Sequence, residues 1–141
     1  MGNKIIGIFL LFAFACTSQP ETGTVTEKDG ITTIEVKSGY GLSVEEELKM
    51  LRAIKLANEN TLADLIPTCL AAHMKPRDFE GSNAEYLKLI SKELFPILIK
   101  ENLCNRIDAF VEKSAFSPEE ITPYLLKAKE LGFEITVHAD Q

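Results

Sequence analysis

Positive charge is in short supply in this chain. Its 15 Lys and Arg residues face 21 Asp and Glu, a formal net charge of -6. That balance argues against a nucleic-acid partner, which favours a basic surface. Phosphate-binding glycine patterns are missing as well: there is no GxGxxG and no GxxxxGK[ST], so the nucleotide-binding α/β folds lose support. Cysteine is scarce, with three residues and no CxxC or other metal spacing. Cys69 and Cys104 could pair if the chain is exported, but without a dense framework they read as buried free thiols. Long apolar runs are also absent. The longest, IIGIFLLFAFA at residues 5–15, is about half of the roughly 20 residues a membrane-crossing helix needs.

What is present suffices for one small domain: 141 residues, 45% of them hydrophobic. The apolar run has the size of a signal h-region. Ala13 and Ala15 offer small residues at the cleavage-site positions, and Cys16 resembles a relaxed lipobox cysteine, a membrane tether. The expected organisation is a leader at 1–16, a polar linker at 17–29 that contains TSQPETGT, and a folded segment at 30–141.

From Gly30 onward strands and helices alternate. ITTIEVKSGYG is rich in β-branched residues. Ser43 with Glu46 predicts a capping box, and Val44, Leu48, Leu51 and Ile54 recur at helical spacing. LADLIPTCLAAH is a second apolar strand. Pro67 lacks a backbone N–H, so the strand proper is expected to begin after it. Ser82 with Glu85 opens the next helix, lined by Tyr86, Ile90, Leu94 and Ile97, and Pro96 should kink or interrupt it. RIDAFV reads as the third strand. Ser117-Pro118-Glu119-Glu120 caps the third helix, which Leu125, Leu126 and Leu131 continue, Pro123 disturbs and Gly132 ends. FEITVH is the fourth strand. The alternation predicts an α/β fold with parallel strands, either a doubly wound sheet or part of a (β/α) barrel. Lys37, Ser38, Tyr40, His73, Glu112 and His138 fall where strands give way to loops, the end that carries the chemistry in a barrel.

TTIEVKSGYGL, EELKMLR, IPTCLAAHMKPRDFEG, FVEKSAFSPEE and AKELGFEITVHADQ, in this order, resemble imidazolonepropionase of the amidohydrolase superfamily. The resemblance covers residues 30–141 and leaves out residues 1 to about 25. It implies parallel (β/α) units from a TIM-like barrel, here about four strands of it. It implies hydrolysis of 4-imidazolone-5-propanoate to N-formimino-L-glutamate in histidine degradation. A single zinc or iron ion would act as Lewis acid and source of hydroxide. Carried over by position, His138 matches the metal ligand on the fifth barrel strand. Tyr40 matches a substrate contact. His73 matches a catalytic histidine that touches the substrate and can polarise the attacked carbonyl. Gln141 stands at a substrate contact often held by glutamate; it can hydrogen-bond but cannot act as a base. The family is expected in the cytoplasm, whereas a working leader would export or anchor the chain.

Three of the family's four metal ligands have no counterpart. The only histidines are His73 and His138, there is no His-x-His, and the aspartate of the eighth strand falls outside the sequence. A catalytic zinc needs about three protein ligands. A complete barrel typically takes about 250 residues. The expectation is therefore an incomplete hydrolase with little or no activity. Its open sheet edges and uncovered apolar barrel face would favour self-association. An alternative is a non-enzymatic, membrane-tethered lipoprotein that reuses the segment as an interaction module. Another amidohydrolase, such as a deaminase, fits TVHAD but explains EVKSGYGL and FSPEE less well.

Overall fold

A computed structural model of the chain describes residues 6–8 and 30–139. Its strands are β1 (Ile6–Ile8), β2 (Thr33–Lys37), β3 (Asp64–Ala72), β4 (Arg106–Val111) and β5 (Glu134–Ala139). The helices are α1 (Val44–Asn58), α2 (Asn83–Glu101) and α3 (Pro118–Glu130). Sheet order is β1-β2-β3-β4-β5, and every pair is parallel. Strictly sequential order belongs to a barrel, because a doubly wound sheet reverses direction at a switch point. The result is a curled half-barrel. The three residues of β1 lie within the stretch read as a leader; Cys16 and the linker lie outside the described residues.

The helices form as their caps dictate. Ser82 and Ser117 each accept from the backbone N–H three residues on, and Glu85 and Glu120 return bonds of 2.8 Å to the cap N–H groups. These bonds hold both carboxyls below the ordinary glutamate range. At α1 only half of the expected box is made. Ser43 Oγ accepts from Glu46 N–H, while the Glu46 carboxylate pairs with Lys49 at 3.3 Å.

The three prolines do less than expected. β3 runs straight through Pro67. In the parallel ladder Asp64 and Thr68 bond toward β2, so Pro67 directs its nitrogen the other way. Pairing with β4 begins only at Thr68–Arg106, and no ladder bond is lost. α2 is continuous across Pro96 and α3 across Pro123. Both prolines lie on exposed faces, so the carbonyl each leaves without its helical partner is open to solvent.

Ile34, Val36, Cys69, Ile107 and Ala109 of the sheet pack with Leu51, Leu94, Phe95, Leu98 and Phe116 into one core. The α3 face differs from expectation. Ile121, Tyr124 and Ala128 point inward, while Leu126 and Leu131 are exposed. A ridge at i, i+3 and i+7 meets the sheet more squarely than the leucines do. Gly132 ends this helix with φ +90, a conformation open to glycine. Cys69 and Cys104 are both free and buried. Burial pushes the Cys104 thiol up to about 11 and that of Cys69 well above its ordinary value, which leaves both unreactive.

Candidate functional site

Strand alternation sends every second side chain to the concave side of the sheet. Among the residues found there are Glu35 and Lys37 of β2, Ile66, Thr68 and Leu70 of β3, Arg106, Asp108 and Phe110 of β4, and Thr136 and His138 of β5. The expected apolar barrel face is a mixed one: Ile66, Leu70 and Phe110 lie on it, beside charged residues tied together by their own bonds.

Asp108 is its centre and is fully buried. Its Oδ2 lies 2.7 Å from Lys37 Nζ and 2.7 Å from His138 Nδ1, and its Oδ1 accepts from Ala109 N–H. Lys37 Nζ is also 3.0 Å from His138 Nε2 and 3.6 Å from Glu35. An ammonium only donates, so Nε2 accepts and the ring proton sits on Nδ1, which lies close to the carboxylate without an aligned hydrogen bond to it. Below this cluster Glu35 accepts from Thr68 Oγ1 at 2.7 Å and meets Arg106, which also holds Glu134 at 2.7 Å. Buried charge is tolerated here because each group has an opposite partner.

A second group caps the strand ends. The loop from Ser38 to Leu42 leaves β2 and carries Tyr40, which is 48% exposed. His73 follows β3 directly. Its ring stands edge-on to Tyr40 at 5.1 Å and to Phe110 at 5.4 Å. Phe110 is the register partner of His138. Tyr40, His73, Phe110 and His138 thus form one row across the ends of β2 to β5. Ser38 is buried beneath the loop, and its Oγ accepts from Leu70 N–H at 3.1 Å. Gly39 is obligatory: its φ is +119, and a Cβ there would lie 2.9 Å from Leu70 O.

Of the residues singled out from the sequence, the fold gathers Lys37, Ser38, Tyr40, His73 and His138. Glu112 follows β4 in a groove with Lys113 and Ser117, on the α3 side. Gln141 lies outside the described residues. Sequence reasoning missed Asp108, Glu35 and Glu47. A lone acid inside the apolar strand RIDAFV was the available signal for Asp108.

Zinc or iron fits poorly with the described residues alone. No group of three His, Cys, Asp or Glu converges among them. His138 supplies a single imidazole, and its Nε2 faces the Lys37 ammonium, a competing cation.

Sequential parallel strands and helices on one side define part of a (β/α) barrel, and the row of Tyr40, His73, Phe110 and His138 stands at the end where such barrels carry their chemistry. The resemblance within that class is to imidazolonepropionase. The chain is 46% identical to imidazolonepropionase of Pseudomonas putida over 115 residues, which is 81% of this chain and 28% of that protein. It is 42% identical over 114 residues to that of Pseudomonas entomophila and over 113 residues to that of Yersinia pestis, covering 81% and 80% of this chain and 28% of each relative. The chain therefore spans little more than a quarter of the curated relatives it matches. No family model matches it. No helix among the described residues is long and apolar enough to cross a membrane.

Proposed function

We propose that the chain is the substrate-recognising part of an imidazolonepropionase-like hydrolase, which opens 4-imidazolone-5-propanoate at a ring carbon–nitrogen bond to give N-formimino-L-glutamate. One observation carries this reading: the row of Tyr40, His73, Phe110 and His138 at the strand ends. Two aromatic edges and an imidazole suit a flat heterocycle, and the relatives' name supplies its identity. Tyr40 and His73 contact the ring, and Gln141 supplies a further hydrogen bond. His138 is the residue that would ligate zinc or iron. Asp108 orients its imidazole, as a carboxylate commonly does behind a ligating histidine. No step through the metal is assigned, since one imidazole does not make a site.

Binding of 4-imidazolone-5-propanoate to purified protein, followed by calorimetry, tests the reading. Affinity should fall about tenfold or more in Tyr40→Ala and His73→Ala, while Lys49→Ala, on the exposed face of α1, should leave it unchanged. Equal affinity in His73→Ala and the parent, or no binding by the parent, would end the proposal.

A further inference from the structure

Glu47 sits in the first turn of α1 and is 1% exposed. Its Oε1 accepts from Gly39 N–H at 3.2 Å and from Gly41 N–H at 2.8 Å, the two amides that flank Tyr40. Gly41 admits no side chain, because a Cβ would lie 2.7 Å from Glu47 N. The loop is therefore pressed onto the helix start and fastened there by one carboxyl oxygen. On its other side Ser38 N–H reaches Thr68 O at 3.0 Å. Glu47 thus holds the peptide units on either side of the Gly39–Tyr40 peptide, and the carbonyl of that middle unit, Gly39 O, lies 3.0 Å from His73 Nδ1.

A carbonyl oxygen only accepts, so Nδ1 must carry the proton. A neutral imidazole has one N–H, so Nε2 keeps its lone pair. This is the reverse of the form a free histidine side chain favours in water. We propose that Glu47 is a positioning residue that fixes the tautomer of His73 by holding the units that flank the Gly39–Tyr40 peptide, so that the neutral ring meets its ligand as a hydrogen-bond acceptor. His73 then recognises a ring N–H and can donate to a carbonyl only as the imidazolium. A planar heterocycle that presents an N–H toward β3 is the ligand class this selects. That last step rests on the proposed function; the tautomer itself does not.

Two histidines in the chain make the test direct. In protein labelled with 15N-histidine, long-range proton–nitrogen spectra above the histidine titration range distinguish Nδ1–H from Nε2–H rings. His73→Gln assigns the two residues. The parent should show His73 as Nδ1–H. Glu47→Gln, whose amide oxygen can replace Oε1, should keep it. Glu47→Ala should move the tautomer ratio about fivefold to tenfold toward Nε2–H, the worth of one ordinary hydrogen bond. An Nε2–H ring in the parent overturns the proposal. So does an unchanged ratio in Glu47→Ala protein that unfolds cooperatively. If Glu47→Ala does not fold, Glu47→Asp, one methylene shorter, carries the same two outcomes. Adding 4-imidazolone-5-propanoate separates the readings: a correct tautomer with no change at His73 Nε2 breaks the proposed function and leaves the role of Glu47 standing.

Discussion

The two faces of the sheet are built from the same strands and obey opposite rules. Toward the helices, Ile34, Val36, Cys69, Ile107 and Ala109 are buried among apolar side chains. Toward the concave side, Glu35, Lys37, Thr68, Arg106 and Asp108 stand among the apolar Ile66, Leu70 and Phe110 and are joined by ion pairs and hydrogen bonds. The helix face gains stability from area removed from water. The concave face holds charges that must be matched one by one, and mismatch there costs more than matching gains. A protein can therefore change the apolar face by degrees, whereas the polar face is altered in pairs.

The largest expected effect lies on the helix side. Phe95, fully buried and ringed by Tyr124 and Phe133, should lose about 4 kcal/mol as Phe95→Ala, measured by urea unfolding. Asp108→Ala comes next, at about 3 kcal/mol, since it leaves Lys37 beside His138 with only the more distant Glu35, at 3.6 Å, as counter-charge. The contrast sharpens if the double change Lys37→Met with Asp108→Leu recovers most of that loss. If the double variant is less stable than the single, pairwise matching is not what governs this face. Ser117→Ala should cost about 1 kcal/mol by the same measurement, because it removes a cap that either face can spare.

Glu47 is the exception on the helix side, an acid among apolar neighbours. Burial raises its carboxyl above the ordinary glutamate value, against the opposing bonds from Ser38, Gly41, Gly39 and Leu42. The folded protein therefore holds this proton more tightly than the unfolded chain. The stabilisation is complete below the ordinary glutamate value and is lost as pH rises through the raised one. Exposed acids such as Glu85 and Glu101 shift the other way, so the difference between the parent and Glu47→Gln isolates the effect. That difference should favour the parent increasingly as pH falls toward the ordinary value. A difference that does not change with pH would show that burial leaves the Glu47 carboxyl unshifted. The smallest change belongs to Arg52→Ala, which removes the surface pair with Glu101 at 2.6 Å and should leave the urea midpoint almost unmoved.

Much of the fold was legible because its signals are local. Ser82, Ser117 and their partner glutamates marked helix starts, and Leu48, Leu51 and Ile54 marked a buried face. Pro67, Pro96 and Pro123 misled, since their cost depends on which way each nitrogen points, a property of strand register and helix facing. Tyr40, His73 and His138 were legible through resemblance. Asp108 was not, because its partners lie 71 residues before it and 30 after, and only parallel pairing brings them together.

By itself, the sequence determined the succession of strands and helices, where each helix begins, and which residues stand at the strand ends. Those depend on propensity, capping and periodicity within a few residues. Tertiary structure alone decided that the sheet runs in sequential order, that Asp108 gathers Lys37 and His138, and that Glu47 holds the units flanking the peptide whose carbonyl faces His73. The physical reason is distance along the chain: hydrogen bonds and ion pairs act over about 3 Å, and only the packed sheet brings such remote residues that close.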